Sequence, residues 1–264
     1  MQIVDRSALK CRNGLPYFEA PGLANGIRHA FLTRRGGISP APFDSLNLSV
    51  STGDCENNVL KNTQRIASIF DFEPDCLIVL HQVHQDRILI VKESLDESVL
   101  RLPSDLPYDA VITDLPGRVL GIKTADCLPI LVADRTKKVI AAIHAGRQGT
   151  ALQITRKVIR RMKTEFGCVP DDLWAALGPA ISACCYEIDE KVMISSWEPF
   201  AAPKKGGKWM VDLGGINIDQ MKREDIQGDH ISWIQLCTCC HHDFFFSFRK
   251  EGRTGRQISF ITIT

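Results

Sequence analysis

The pattern of apolar and polar positions divides the chain into a few helices and many short strands. Apolar residues at helical spacing predict a helix over residues 56–70, with Asp54 as its N-cap. A second helix is predicted over residues 150–166, because Gly167 follows it in the usual C-terminal position. Short runs rich in branched residues predict strands, several of them covered on both faces, at residues 76–80, 87–91, 119–123, 129–133 and 139–143.

The remaining pattern is mixed. Residues 1–40 are rich in loops, and helices are predicted over residues 191–197 and 212–226. Further strands are predicted at residues 173–177, 231–236, 244–248 and 257–263. Strands and helices do not follow the regular βαβ rhythm of a doubly wound sheet. The pattern therefore predicts one α/β (α+β) domain over residues 1–264, with mixed β-sheets in the core surrounded by helices.

Composition and charge exclude several classes of protein. The chain has 264 residues, of which 44% are hydrophobic, and a formal net charge of +1 from 32 basic and 31 acidic residues. This balance gives no electrostatic case for a nucleic-acid or membrane-surface protein. No signal peptide and no apolar stretch of roughly 20 residues is present, so we expect a cytoplasmic protein. In that compartment the ten cysteines are expected to be reduced thiols rather than disulfides.

Three possible metal ligands lie at the edges of predicted strands. His84, Cys127 and His144 each follow or precede an apolar run, where it meets a polar, Gly or Pro turn. Imidazole and thiolate are preferred ligands of zinc, and a catalytic zinc site keeps three protein ligands and one open position. The same residues also suit a Cys/His nucleophile. Asp126, beside Cys127, could orient a ligand or carry a proton. The residues alone leave both interpretations open.

Other candidates have weaker patterns. Residues 237–242 contain three Cys and two His, but they lack a partner pair at zinc-finger spacing, which favours a structural or incidental role. Arg35 precedes Gly36-Gly37, where the backbone could approach an anion closely, and Arg249 follows an aromatic run near the end of the chain. Both arginines are candidate phosphate ligands, with solvated surface turns as the alternative.

Nine segments spread over nearly the whole chain carry a family resemblance. They cover residues 33–39, 45–48, 82–84, 109–114, 124–129, 144–146, 177–181, 184–187 and 245–249. The Asp-Cys-Leu-Pro block at residues 126–129, followed by His-Ala-Gly at residues 144–146, makes the pattern specific. In these segments the chain resembles the YfiH family, also called laccase-domain or polyphenol-oxidase-like proteins.

The resemblance implies a fold, a cofactor and an activity. The fold would be related to that of cysteine-hydrolase-like toxin deamidases, with zinc bound by His84, Cys127 and His144. The implied activities are phosphorolysis of purine nucleosides (adenosine, inosine, guanosine and methylthioadenosine) and adenosine deamination, in a monomer that binds nucleoside and phosphate. Copper is not expected, because the sequence lacks the several His-X-His pairs and the type-1 Cys/His set of a multicopper oxidase.

The expected chemistry assigns further site residues. Asp126 and the zinc ligands Cys127 and His144 are the expected catalytic residues, and Arg35, Asn47 and Arg249 are expected to bind phosphate or substrate.

The chain departs from the family in one motif. The usual His-Ala-Gly-Trp-Arg-Gly is replaced by His-Ala-Gly-Arg-Gln-Gly at residues 144–149, which leaves the zinc ligands intact but changes the expected wall of the nucleoside pocket. Two alternatives to the zinc phosphorylase stay open. One is a Cys/His hydrolase or amidase with Cys127 as nucleophile and His144 as base, and the other is a zinc-stabilised binding protein without catalysis.

Overall fold

The computed structural model describes residues 1–23, 26–92 and 107–264, and their strands form three sheets. The strands of a seven-stranded sheet are, in order across it, β1 (Gln2–Val4), β15 (Ile231–Ile234), β11 (Leu173–Leu177), β9 (Leu128–Asp134), β10 (Val139–Ala145), β7 (Ala110–Thr113) and β6 (Ile88–Val91). Those of a six-stranded sheet are β2 (Lys10–Arg12), β3 (Leu15–Phe18), β4 (Ile27–Leu32), β16 (Gln257–Ile263), β8 (Val119–Thr124) and β5 (Leu77–Val79). A small sheet contains β12 (Glu187–Asp189), β14 (Lys208–Val211) and β13 (Ala201–Lys204).

Helices connect and cover these sheets. The α-helices are α1 (Glu56–Ile69), α2 (Arg147–Ala151), α3 (Ile154–Phe166), α4 (Leu213–Lys222) and α5 (Phe248–Glu251). Short 3-10 helices occupy Arg6–Ala8, Val50–Thr52, Pro74–Cys76, Pro170–Asp172, Glu190–Val192, Ser195–Phe200 and Gly228–His230. Among the described residues, no helix combines the length and the apolar character needed to cross a membrane.

The two large sheets pack face to face, and helices cover their outer faces. Between the sheets, Leu131 of β9 belongs to the same buried core as Leu120 of β8. On the opposite face of β9, Ile130 shares a second core with Val158 of α3. On the opposite face of the six-stranded sheet, Phe260 of β16 shares a third core with residues of α1. The order of layers is therefore helix, sheet, sheet, helix, which confirms the mixed α/β fold.

This layering explains the central strands. Every residue of β9 and β10 is buried. Successive side chains of a strand point to opposite faces, so a strand with a core on each side is apolar without alternation. The strands expected at residues 119–123, 129–133, 139–143 and 173–177 are confirmed to within two residues at each end.

Several sequence predictions are wrong. Residues 244–248 are not a strand, because the amides of Phe244 and Phe245 both bond to the His241 carbonyl and that of Phe246 bonds to the Gln257 side chain. These aromatic residues are buried in a turn, which an apolar run alone does not distinguish from a strand. Residues 1–40, expected to be mainly loops, contain β1 to β4.

Helix boundaries also differ from the prediction. The helix expected over residues 150–166 is two helices, because Gln153 adopts a left-handed backbone conformation between α2 and α3. The helix expected over residues 191–197 is replaced by two short 3-10 helices, and α4 ends at Lys222 rather than near residue 226. Asp54 lies one residue before the observed N-cap of α1, Cys55, whose side chain makes no capping bond.

Candidate active site

Two chain crossings between the large sheets place the candidate ligands together. Strand β8 of the six-stranded sheet leads into β9 of the seven-stranded sheet, and Cys127 lies in that turn. Strand β5 likewise leads into β6 across the same two sheets, and His84 lies in that connection. His144 is in β10, which pairs with β9 up to Ala145 opposite Leu128, so the chain following β10 meets the Cys127 turn.

The structure brings His84, Cys127 and His144 together as the sequence predicts. One ligand atom from each lies within 4.8 Å of the other two, and the group could hold a metal ion. The two imidazole rings meet edge to face, with centroids 4.8 Å apart and an interplanar angle of 78°. His144 is buried, Cys127 is partly buried and His84 is exposed, so one side of the group is accessible to solvent.

Gly146 forms part of the wall of this group. A Cβ atom at residue 146 would lie 3.0 Å from Cys127 Sγ and 3.2 Å from His84 Cδ2. Both approaches are closer than ordinary van der Waals contact, so a side chain here would displace the ligand atoms. The Gly of the His-Ala-Gly block therefore lets the backbone pass directly behind the three ligands.

Asp109 orients two of the three ligands, a role that the sequence did not reveal. Its Oδ1 lies 2.7 Å from His144 Nδ1, which directs the other imidazole nitrogen, Nε2, away from Asp109. The same buried carboxylate accepts hydrogen bonds from the amides of Val83, His84 and Gln85 at 3.3, 2.9 and 2.7 Å. Such a carboxylate–histidine pair is typical of metal sites and of catalytic histidines. The available signal was its place at the start of the segment 109–114, one of those that carry the family resemblance.

Charges within the group favour a thiolate beside a charged imidazole when no metal is bound. Burial raises the pKa of the Cys127 thiol, but the adjacent imidazoles of His144 and His84 outweigh it and bring the pKa below its usual range. Burial lowers the pKa of His144, whereas the Cys127 thiolate and Asp109 raise it to a net value above the usual range. A deprotonated thiol is the form that binds a metal or attacks an electrophile.

Asp126 holds the turn that presents Cys127. Its Oδ1 accepts hydrogen bonds from the hydroxyls of Thr238 and Ser247 at 2.6 and 2.7 Å, and its Oδ2 accepts one from the Arg249 amide at 2.6 Å. Its backbone has a φ of 90°, which a non-glycine residue adopts at a cost that the surrounding bonds must offset. These contacts indicate a positioning role, and proton transfer by Asp126 stays a prediction.

Two partly buried cations, Arg256 and Lys123, lie near the Cys127 turn, and the sequence did not single them out together. Arg256 precedes β16, whose Gln257 pairs with Thr124 at the end of β8. Burial lowers the pKa of the Arg256 guanidinium, opposed by its attraction to Cys127 and Asp126. Burial and the nearby Arg256 also lower the pKa of Lys123. Two neighbouring, partly desolvated cations, of which Arg256 interacts with Cys127, are suited to bind an anionic substrate group.

Tyr186 lies within electrostatic range of the same group. Burial, followed by the nearby Cys127 thiolate, raises the pKa of its phenol to about 12. Arg147 and Arg249 act in the opposite direction on the same phenol. The Arg that replaces the Trp of the family motif therefore adds a positive charge close to Tyr186.

The two arginines predicted from the sequence as phosphate ligands lie in different parts of the structure. Arg249 donates to the carbonyls of Cys185 and Glu187 and packs over Tyr186, so it is close to the candidate site. Arg35 lines a separate cavity of about 380 Å³ together with Arg34, Asp44, Ser45, His242, Asp243 and Glu251, and it bonds to Asp243.

Asn47 is buried and does not reach the Cys/His group. Its amide nitrogen donates to Ser49, Thr52 and Asp54, while its oxygen accepts from the amide of Arg256 at 2.9 Å. Asn47 thus supports the backbone of a cation that lies near Cys127, and its direct contact with substrate stays a prediction.

Known proteins are similar to this chain over most of its length. Residues 28–264 match the family model described as multi-copper polyphenol oxidoreductase laccase. A purine nucleoside phosphorylase of Bacteroides thetaiotaomicron is 32% identical over 93% of this chain and 95% of its own length. The purine nucleoside phosphorylase YlmD of Geobacillus stearothermophilus is 31% identical over 92% of each chain. The crystal structure of the hypothetical protein YfiH of Bacillus licheniformis matches with a TM-score of 0.89 and 29% identity, covering 97% of this chain and 99% of that chain.

Replacement of Asp109 tests its orienting role. The Asp109→Asn variant should bind metal about 10- to 100-fold more weakly, because the amide cannot hold His144 as the carboxylate does. Titration of the metal-free protein against a competing chelator measures this affinity. Asp114→Asn is the matched control, because Asp114 is an exposed carboxylate at the other end of β7. This variant should leave the metal affinity unchanged. Equal affinity of the two folded variants would contradict the role of Asp109.

Proposed function

The chain belongs to the family described as multi-copper polyphenol oxidoreductase laccase, and we propose that it is a zinc-dependent purine nucleoside phosphorylase, because relatives in this family have that name. Its substrates would be adenosine, inosine, guanosine or methylthioadenosine together with phosphate, and its products the free base and the sugar 1-phosphate. We include adenosine deamination in the proposal. The observation that carries the proposal is the convergence of His84, Cys127 and His144 on one point in this chain. Its relatives are named purine nucleoside phosphorylases.

The donor set fits zinc. Two imidazoles and one thiolate are ligands that Zn²⁺ prefers, and Asp109 orients one of the imidazoles as outer partners of zinc ligands do. Three protein ligands also leave a coordination position for substrate. His84, Cys127 and His144 would hold the ion, which when bound supplies a Lewis acid beside the substrate.

The residues around the ligands suit phosphorolysis. In this reaction a phosphate oxygen forms a bond to C1′ of the ribose as the bond from C1′ to the base breaks. Arg256 and Lys123 would hold the phosphate next to the nucleoside, since both are cationic and partly desolvated. Tyr186 keeps its proton at neutral pH and can donate a hydrogen bond to a substrate oxygen or nitrogen.

Deamination makes a different demand on the same site. In adenosine, an oxygen of water forms a bond to C6 as the bond from C6 to the amino nitrogen breaks. The amino group leaves as ammonia, which requires a group that transfers a proton to it. Asp126 is the residue expected for this from the sequence. Because its carboxylate accepts hydrogen bonds from Thr238, Ser247 and the Arg249 amide, we propose that its main role is to fix the Cys127 turn.

Metal content and phosphate dependence test the proposed activity. Purified protein should contain zinc bound by His84, Cys127 and His144 (the His84 group), and adenosine should yield adenine only when phosphate is added. His84→Ala should lose this zinc and the phosphorolysis together. Zinc bound by the His84 group without turnover of any purine nucleoside would favour a zinc-stabilised binding protein. Equal zinc content in the wild type and in His84→Ala, together with no turnover by the wild type, would refute the proposal.

Replacement of Arg256 tests the proposed phosphate site. Arg256→Ala should raise the KM for phosphate roughly 10- to 100-fold, because it removes a charge-assisted hydrogen bond. The KM for nucleoside should change much less. Initial rates at varied phosphate measure both constants. Arg253→Ala, in the same loop and exposed, is the matched control. An unchanged KM for phosphate in Arg256→Ala would assign the anion site elsewhere.

A specific geometry supports a second candidate, a Cys/His hydrolase or amidase. Cys127, His144 and Asp109 are arranged as nucleophile, base and orienting carboxylate, with His144 Nδ1 2.7 Å from Asp109 Oδ1. This reading needs no contribution from His84. The exposed imidazole of His84, packed edge to face on His144, favours the metal site instead.

Alkylation by iodoacetamide separates the two candidates. In metal-free protein Cys127 should react at a lower pH than an ordinary thiol, whose pKa is about 8.5, because the adjacent imidazoles stabilise its thiolate. Zn²⁺ should block this reaction if Cys127 is a ligand. Mass spectrometry of the digested protein measures the modification, with the exposed Cys55 as internal reference. Unhindered labelling in the presence of zinc, together with a covalent acyl-enzyme, would favour the hydrolase.

A further inference from the structure

Four cysteines from two loops converge at a second place in the fold. Cys184 and Cys185 follow β11, and Cys237 and Cys240 follow β15. Their Sγ atoms all lie within 4.8 Å of one another. Cys240 Sγ is 3.6 Å from Cys184 Sγ and 3.4 Å from Cys185 Sγ. The partner pair that residues 237–242 lack along the sequence is therefore supplied by the fold.

The sheet explains why these loops meet. Strands β11 and β15 are parallel neighbours, with Leu177 opposite Trp233, so both chains leave the same edge of the seven-stranded sheet. Beyond the strands, Ala180 forms a bridge with Cys237, and the Thr238 amide donates to the Ala180 carbonyl at 3.1 Å. The backbone thus holds the two loops in register where the cysteines occur.

The spacing and the distances fit one tetrahedral ion. Cys237 and Cys240 form a Cys-x-x-Cys pair, a usual spacing for structural zinc. Zinc–sulfur bonds of about 2.3 Å give a tetrahedron whose edges are about 3.8 Å, close to the observed separations. The Ser182 amide also donates to Cys237 Sγ at 3.5 Å, a bond that stabilises a thiolate.

We propose that Cys184, Cys185, Cys237 and Cys240 bind one Zn²⁺ ion as a structural site, separate from the His84 group. Four thiolates close the coordination sphere and leave no position for substrate, which distinguishes this site from one with three ligands. The ion joins the loop after β11 to the loop after β15. The proposal does not depend on the activity assigned to the protein.

The loops that would bind this ion also contact the candidate active site. Thr238, next to Cys237, donates a hydrogen bond to Asp126, which holds the Cys127 turn. The Cys185 carbonyl accepts a hydrogen bond from Arg249, and Tyr186 is the next residue. The ion would therefore stabilise the two loops that surround the Cys127 turn.

A disulfide is the main competitor for these sulfur atoms. Cys240 is close to both Cys184 and Cys185, but it could bond covalently to only one of them. A disulfide would also release two hydrogen atoms per bridge, a loss of mass that is measurable in the intact chain. Metal content and intact mass thus distinguish the two states.

Metal analysis of protein purified without chelator in reducing buffer tests the proposal. In a His84→Ala background, which disables the other group, one zinc ion per chain should remain. Cys240→Ser in this background should lose that ion, whereas Cys239→Ser, an adjacent thiol outside the four-cysteine group, should retain it. Cys184→Ser, at an exposed position, is a second variant in case Cys240→Ser does not fold.

Cobalt provides an independent readout on the His84→Ala protein. Co²⁺ should give the intense visible bands of a tetrahedral site and the near-ultraviolet absorption of cobalt–thiolate bonds, both lost in Cys240→Ser or Cys184→Ser. The proposal fails if His84→Ala binds no metal, if Cys239→Ser and the ligand variants retain equal zinc, or if the intact mass shows a disulfide in place of metal. Because the His84 group is disabled throughout, these outcomes do not depend on phosphorylase activity.

Discussion

The buried carboxylate of Asp109 is the interaction on which the candidate site depends. It contacts the His144 imidazole and accepts hydrogen bonds from three successive amides, Val83 to Gln85. The backbone carbonyl of Asp109 also accepts a hydrogen bond from the His144 amide at 2.7 Å. Burial alone would raise the pKa of this carboxyl, but the bonds from His144 and the amides outweigh it and lower the pKa. A buried carboxylate is tolerable only when its lone pairs are satisfied in this way. The bonds that keep it charged also bring the loop of His84 to His144.

The double-sheet architecture makes such a site possible. The candidate ligands lie at turns where the chain crosses from one large sheet to the other or follows a strand that borders the crossing. A second carboxylate, Asp126, fixes one crossing by bonds to residues 112 to 123 positions later in the chain. The loops themselves are short of regular structure, so these polar contacts, rather than backbone ladders, determine where Cys127 lies. Rigid strands on each side limit how far it can move.

The loops after β11 and β15 connect the two candidate metal groups. One contains Tyr186 and two of the four clustered cysteines, and the other contains Thr238 and the remaining two. Each of these two loops therefore contains residues next to the candidate active site and also two of the four clustered cysteines. Any factor that orders these loops acts on the surroundings of the Cys127 turn.

The sequence by itself determined the strands that are buried on both faces, the α/β class and the three candidate ligands His84, Cys127 and His144. Those features are local: uninterrupted apolar runs indicate central strands, and Cys and His at their ends stand out by residue type. The tertiary structure alone decided the role of Asp109, since one carboxylate among many acquires it only by facing His144. The same holds for the proximity of Arg256 to Lys123, and for the meeting of Cys184 and Cys185 with Cys237 and Cys240. The strand expected at residues 244–248 was wrong for a related reason, because a buried turn and a buried strand share an apolar pattern. What separates them is the partner of each backbone amide, and those partners, such as Gln257 for Phe246, lie elsewhere in the chain.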